Sequence, residues 1–425
     1  MNRKKLLILI LGLFIFHMAV SSLFYYVSVK GYFPAFNNGR GIWNYAQDSN
    51  GYHKEALKIV NELKGGGFFK WWRLTPNHWH VKSIALSYKV FKPVPLSMAP
   101  LNAFIWVMSF LLVLSIAYKL VGSERIALAV AFLFSFFPSN LMDSIQLLQD
   151  PFYVLGALLF ILGWIWIWRL WNRCVRRSVW NFVLPVIFVG IGYYMVVMIR
   201  FYLLTIWLGM ALVFYLFSLV KNPRHWIAST LMIGMVFILF SNLKPMPVQL
   251  PKPTKPTKPL RPKYPWTYSK WVPDTLEFQF VKIAQYREGF CTCCPHAGSN
   301  IDTNVRFHSM NDILWYLPRT VEIGFLAPFP DFWFKKAKTS GRISRFIVGG
   351  EMILIYFLYV GIFLWIFKRR IQPEMLMLFF WSFGFILMFS LVVVNLGTLH
   401  RMRHIYLLPV FIFGVSGWGL LFGQD

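Results

Sequence analysis

The sequence specifies an all-α polytopic membrane protein, and three observations carry that expectation. The chain of 425 residues is 57% hydrophobic and only 14% charged, whereas a soluble domain carries about 25% charged residues. Its apolar residues collect into runs near the roughly 20 that a helix needs to cross a bilayer core. Inside lipid every backbone N–H and C=O must bond within the chain, so each run is expected as a helix.

The first run, 6–28, follows Arg3, Lys4 and Lys5. Its apolar core is too long for an ordinary signal peptide and no small-residue cleavage site follows, so it is expected as the first span. The others are 99–121, 125–142, 151–171, 180–199, 201–220, 225–242, 346–367, 374–394 and 404–422, ten in all, with a break at Arg200. Short-loop lysines and arginines set orientation. With the N terminus inside, Lys119 and Arg125, then Arg169, Arg173, Arg176 and Arg177, then Lys221 and Arg224, then Lys368, Arg369 and Arg370 fall on the cytoplasmic side. That leaves outside the segment 29–98, the turn 140–150, Arg200, the insertion 243–345 and the turn 395–403. The organisation is therefore an N-terminal membrane module (1–242), an outer insertion (243–345) and closing helices (346–425).

The formal charge of +27 raises the question of nucleic acid, but the basic residues sit in short loops and in the two long polar segments, and no nucleic-acid module is visible. No nucleic-acid partner is expected. Membrane lipids with anionic headgroups, or phosphorylated lipid carriers, suit such charge better, since a juxtamembrane Lys or Arg gains about 1 kcal/mol near an acidic surface.

Within 29–98, Ser49 to Lys64 places Ala56, Leu57, Ile59, Val60 and Leu63 at helical spacing before Gly65-Gly66-Gly67 breaks the pattern. Trp79 to Phe91 is a second, basic amphipathic piece. Both suit helices lying in the interface, with Trp71, Trp72 and Trp79 at headgroup level. His78 and His80 flank Trp79; the plainer reading is an interfacial role, and the alternative is a second proton carrier near neutral pH. The insertion opens with Lys252 to Pro262, where proline recurs every third residue, a spacing that favours polyproline II and a stiff spacer over the membrane surface. About 80 residues of mixed pattern follow, enough for a small outer subdomain. Cys291, Cys293 and Cys294 with His296 lie there. An oxidising exterior favours a disulfide, with Cys291 and Cys294 as one pairing; free thiols or a zinc site remain open.

Ionisable and polar residues at the ends of the spans fall on one side: Asp48, Asp143, Gln149, Asp150, Arg200, Arg319, Glu322, His400, Arg401 and Arg403. Such residues are expensive near lipid and mark functional candidates. Carboxylates beside arginines suit transfer from a phosphate-linked donor, where an acid takes the acceptor proton and guanidinium forks hold the departing phosphate. Arginine offers a bidentate fork that lysine lacks.

On these residues the layout resembles the bacterial integral-membrane glycosyltransferases of superfamily C (GT-C), which use polyprenyl-phosphate sugars on the outer face of the membrane. In that family an acid in the first outer loop, shortly before a tyrosine and an alanine on a helix, is the catalytic base; the matching residues are Asp48, Tyr52 and Ala56. Leu101-Asn102 resembles the opening of the family's second span, Gln149-Asp150-Pro151 its acidic turn before the fourth, and Arg401-Met402-Arg403 its late Arg-x-Arg. Asp48-Ser49-Asn50 lacks the second acid of the Asp-x-Asp found in metal-dependent relatives, so the resemblance implies no catalytic metal and no other cofactor.

The resemblance implies an enzyme of the bacterial inner membrane, its site facing the periplasm or exterior, that moves a hexose or pentose from a polyprenyl-phosphate-linked donor to a glycan, lipid or protein acceptor. Asp48 is the expected base, with Asp150 assisting. Tyr52, Arg200, Arg319, Glu322, His400, Arg401 and Arg403 are the expected substrate-binding residues. The rival expectation is a polysaccharide polymerase or O-antigen-type ligase working through His400 and Arg403. A lipid or glycan transporter is a third, disfavoured because no internal repeat or midplane site is visible.

Overall fold

The computed structural model describes residues 2–62, 71, 78–169, 180–221, 223, 226–243, 264–293, 297–335, 342–368, 371–421 and 423. The expected Gly65–Gly67 break, Trp72, the loop residues Arg173, Arg176, Arg177, Arg224, Arg369 and Arg370, the proline-rich stretch, and Cys294 with His296 lie outside the described residues. Any pairing of Cys291 with Cys294 lies there too.

Among the described residues the chain is 81% helical and has no strands. Eight helices are long and apolar enough to span a membrane: Arg3–Val29, Pro95–Val121, Asp150–Arg169, Trp180–Ile199, Phe201–Lys221, Ile343–Lys368, Pro373–Val392 and Leu396–Leu421. Against the ten expected, the described residues hold these eight, or nine with one bent pair taken as a span. The expected span 125–142 is a bent pair, Glu124–Ser135 and Pro138–Ser144, turned by 60°, and makes a ninth only if taken as one broken span. Pro138 causes the break, because a residue before proline is driven out of the helical region, and Phe137 adopts ψ 122°. The expected span 225–242 is Trp226–Asn242, an apolar helix of 17 residues; at 1.5 Å per residue it covers about 25 Å, at the short end of what crosses a bilayer.

The break at Arg200 is present: the residue leaves the helix at φ −129° and ψ 70° before the next span begins. The last span starts at Leu396 rather than at 404. Arg401 and Arg403 therefore lie within it and not before it.

The chain forms two compact units. The first comprises Met1–Val248, Gly361–Met377 and Phe411–Asp425. In it, Asp150–Arg169 packs on Trp180–Ile199 through glycines: a Cβ added at Gly192 would stand 2.5 Å from the Phe160 backbone nitrogen and 2.6 Å from the Gly156 carbonyl oxygen. Small residues let helix backbones approach this closely, which drives association where lipid removes the hydrophobic drive. At the opposite end from Asp150, buried Glu374 pairs with Arg169 at 3.3 Å and with Lys221, joining three helix ends expected on one membrane face.

The segment 29–98 folds onto the other end of this unit. Helix Asp48–Glu62 buries Tyr52, Ala56 and Ile59, and helix Val81–Val90 buries Ile84, Ala85 and Tyr88. These side chains form one core with Leu147, Leu148, Phe152 and Met195. The expected aromatic belt is turned inward here: Trp71 donates to the Lys82 carbonyl at 3.0 Å, and Trp79 meets the rings of Phe152 and Tyr194 edge-on.

The second unit comprises Gln249–Val360 and Leu378–Val410. Helix Asp274–Cys293 presents Glu277, Val281, Ala284, Arg287 and Cys291 to its interior. Helix Met310–Leu326 begins at a capping box between Ser309 and Asp312. Arg287, 1% exposed, donates to the carbonyls of Val305, Leu391 and Asp302 and to the Tyr316 hydroxyl. One guanidinium thereby fastens the loop 297–309 to the end of Pro373–Val392, an arrangement completed by the Ile301 N–H donating to the Val394 carbonyl.

Candidate functional site

In the first unit Asp48 opens helix Asp48–Glu62 and is exposed. The helix is held from beneath by its buried tyrosine: Tyr52 meets His80 edge-on with ring centroids 4.4 Å apart and His78 at 4.8 Å. The loop before it is fastened by Asn38 donating to Asn50 at 2.9 Å, while Asn38 Oδ1 accepts from the N–H groups of Arg40 and Ile42.

His80 is not the neutral-pH proton carrier that its neighbourhood suggested. It is 1% exposed, and burial, with His78 close by, pushes its imidazole down to about 3 against the opposing pull of the Leu147 carbonyl and Asp150. The ring is neutral at physiological pH. His78 stays accessible and reaches Glu55 at 3.2 Å. His53, lowered by burial and by Arg40, lies 2.6 Å from the Tyr88 hydroxyl.

Asp150 and Arg200 come together as one feature. Arg200 Nη2 donates to Asp150 Oδ1 at 2.8 Å, with both side chains largely buried. The guanidinium lies 4.1 Å over the Tyr153 ring, and the Tyr153 hydroxyl accepts from Trp207 at 3.2 Å. Asn102, of the Leu101-Asn102 pair, donates to the Gln146 carbonyl at 2.9 Å and so holds the turn that leads into Asp150.

In the second unit Arg319 joins Glu322 at 2.8 Å and Asp302 at 2.9 Å. Burial works to raise the Asp302 pKa, but hydrogen bonds from Arg319 and Tyr316, with the charges of Arg319 and Arg287, outweigh it and hold the carboxyl below the ordinary value. The same bond to Asp302 raises Arg319 further.

His400 and Arg403 also come together, fully inside the unit. Arg403 Nη2 donates to His400 Nδ1 at 3.1 Å, which leaves His400 Nε2 to donate to Glu351 Oε2 at 2.7 Å. Arg403 Nη1 donates to the Gly324 carbonyl at 2.6 Å, and its side chain is 0% exposed. Arg401 is half-buried on the same helix.

Three side chains of consequence were passed over in the sequence: Glu351, Arg287 and Glu374. Glu351 had a signal, because it interrupts the apolar run 346–367 and an acid inside a span is a functional candidate on cost alone. Arg287 had none, since its importance comes from contacts with separated segments. Neither a protein family, nor a characterised protein, nor a solved structure matches this chain.

Proposed function

We propose that the protein is a membrane glycosyltransferase that moves a sugar from a polyprenyl-phosphate-linked donor to an acceptor on the outer face. The supporting observation is Asp48, an accessible carboxylate fixed at the first turn of a helix whose buried face is anchored to the ends of the spans. Asp48 takes the proton from the acceptor hydroxyl. The acceptor oxygen bonds to the anomeric carbon as the bond from that carbon to the phosphate oxygen breaks, and polyprenyl phosphate leaves. Asp150, neutralised by Arg200, positions the surrounding turn rather than accepting a proton. Arg200, Arg319 and Arg403 spend donors on internal partners. Catalysis of this kind rests on positioning and charge stabilisation.

The test is Asp48→Asn in purified protein assayed for transfer from polyprenyl-linked sugar. A loss of about 10²- to 10⁴-fold in turnover is expected for a missing general base; full turnover removes Asp48 from the mechanism. The His400–Arg403 contact favours the polymerase or ligase reading as a second possibility. Under it, His400→Gln abolishes chain transfer and Asp48→Asn leaves it intact.

A further inference from the structure

The last turn of helix Met310–Leu326 ends among residues that belong deep in spans. The Leu326 carbonyl accepts from Tyr356 and the Phe325 carbonyl from Tyr359, at 2.5 and 2.8 Å. Tyr356 stands at the midpoint of the 26-residue helix Ile343–Lys368, about 20 Å from its start at 1.5 Å per residue. Phe325 stacks on Phe383, with ring centroids 5.8 Å apart, at the midpoint of Pro373–Val392. A Cβ added at Gly324 would stand 2.7 Å from Ser390 Oγ and 2.8 Å from Ile386 Cγ2. The chain then turns back: Trp333 packs across Gly349, nearer the start of Ile343–Lys368, and donates to the Pro328 carbonyl at 2.8 Å.

The final carbonyls of a helix have no partner within it, and lipid supplies none. Here every one of the last four has a donor. Ala327 N–H serves Ile323, Arg403 serves Gly324, and the two tyrosines serve Phe325 and Leu326. Arg403 also puts a positive charge at the negative end of the helix dipole, and His400 with Glu351 holds the guanidinium in place from behind.

We infer that residues 310–333 form a re-entrant hairpin that dips into the membrane, with Arg403, Tyr356 and Tyr359 as the latch at its tip. The latch sets the height of Arg319 and Glu322, which ride on the same helix and are steadied at their own level by Asp302. Arg403 is thus a positioning residue. The inference stands on contacts within the second unit and is independent of glycosyl transfer, so the two fail separately.

The test is accessibility to a membrane-impermeant maleimide in vesicles opened to the reagent on both faces. Asn311→Cys and Leu326→Cys are placed singly in protein whose four native cysteines are replaced by alanine. Position 326 is expected to label roughly tenfold or more slowly than position 311, as for a site reached only by local opening, with equal labelling once denatured. Adding Arg403→Met, or the milder Tyr359→Phe if the first does not fold, is expected to speed labelling at 326 and leave 311 unchanged. Equal rates at 311 and 326 in the unlatched and parent proteins alike overturn the hairpin; slow labelling at 326 that neither substitution changes overturns the latch.

Discussion

Replacing Arg200 by Gln leaves the Asp150 carboxylate in a largely buried position without the guanidinium that now sits 2.8 Å away. Removing one partner of a buried ion pair costs about 3–5 kcal/mol, because the remaining charge is neither solvated nor neutralised. Part of the loss is the guanidinium's stacking over Tyr153 at 4.1 Å, about 0.5–2 kcal/mol. Arg200→Lys keeps a charge but loses the planar fork and much of that stacking, so its cost is expected near the smaller figure. The double substitution Asp150→Asn with Arg200→Gln removes both charges and is expected to recover about 1–3 kcal/mol relative to the sum of the single changes. The assay is denaturant unfolding of the purified protein in mild detergent, read as a complete double-mutant cycle. Additive single effects, or an Arg200→Gln protein as stable as the parent, refute the reasoning that this pair is a coupled structural unit.

Four further outcomes are expected. His80 must be neutral in the folded protein, and its lowered value of about 3 means the unfolded chain binds the extra proton below about pH 6.5; stability therefore falls as pH drops from 6.5 towards 3, by up to about 2 kcal/mol at pH 5, and His80→Phe flattens that part of the profile. Asp302 acts in the same direction, as a carboxyl held below its ordinary value: its contribution is fully present above about pH 4 and disappears as pH falls through the lowered folded value, so Asp302→Asn costs about 1 kcal/mol at pH 7 and little at pH 2, by unfolding midpoints at the two pH values. Gly192→Ala drives a methyl into the Phe160 and Gly156 backbones and is expected to destabilise by about 1–3 kcal/mol, whereas alanine at Gly209, with nothing within 4 Å, is tolerated. Asp48→Asn, at an exposed side chain, is expected to leave the unfolding midpoint unchanged while transfer falls, separating chemistry from folding.

Much of the bundle was legible because lipid imposes a rule that one apolar run after another must obey. The breaks were harder. Arg200 announced itself as a charge in an apolar stretch, but the bend before Pro138 needed the proline to outweigh continuous hydrophobicity on both sides. The helices Asp48–Glu62 and Val81–Val90 followed from spacing, yet nothing in a periodic pattern says whether Trp79 faces headgroups or Phe152. The site was legible as a set of residue types and not as partners. Asp150 and Arg200 were each singled out, but that they form a pair depends on a contact across 50 positions. Arg403 was chosen as a cation just before the last span, and it lies within that span with its guanidinium serving the Gly324 carbonyl. The end of helix Met310–Leu326 was invisible because its carbonyls find their donors on other helices.

The pairing of Glu374 with Arg169 and Lys221 has a consequence in the order of synthesis. The two cations emerge well before the acid that pairs with them, so while residues 222–373 are inserted both stand as topology signals without that partner. Only when Pro373–Val392 arrives does the carboxylate bridge them. The same charges thereby serve twice, first to hold two helix ends on one side of the bilayer while the chain is being threaded, and afterwards to recruit a late helix to its place. A Glu374→Gln chain would keep the early signal and lose the late docking, so it would insert with normal topology and assemble poorly.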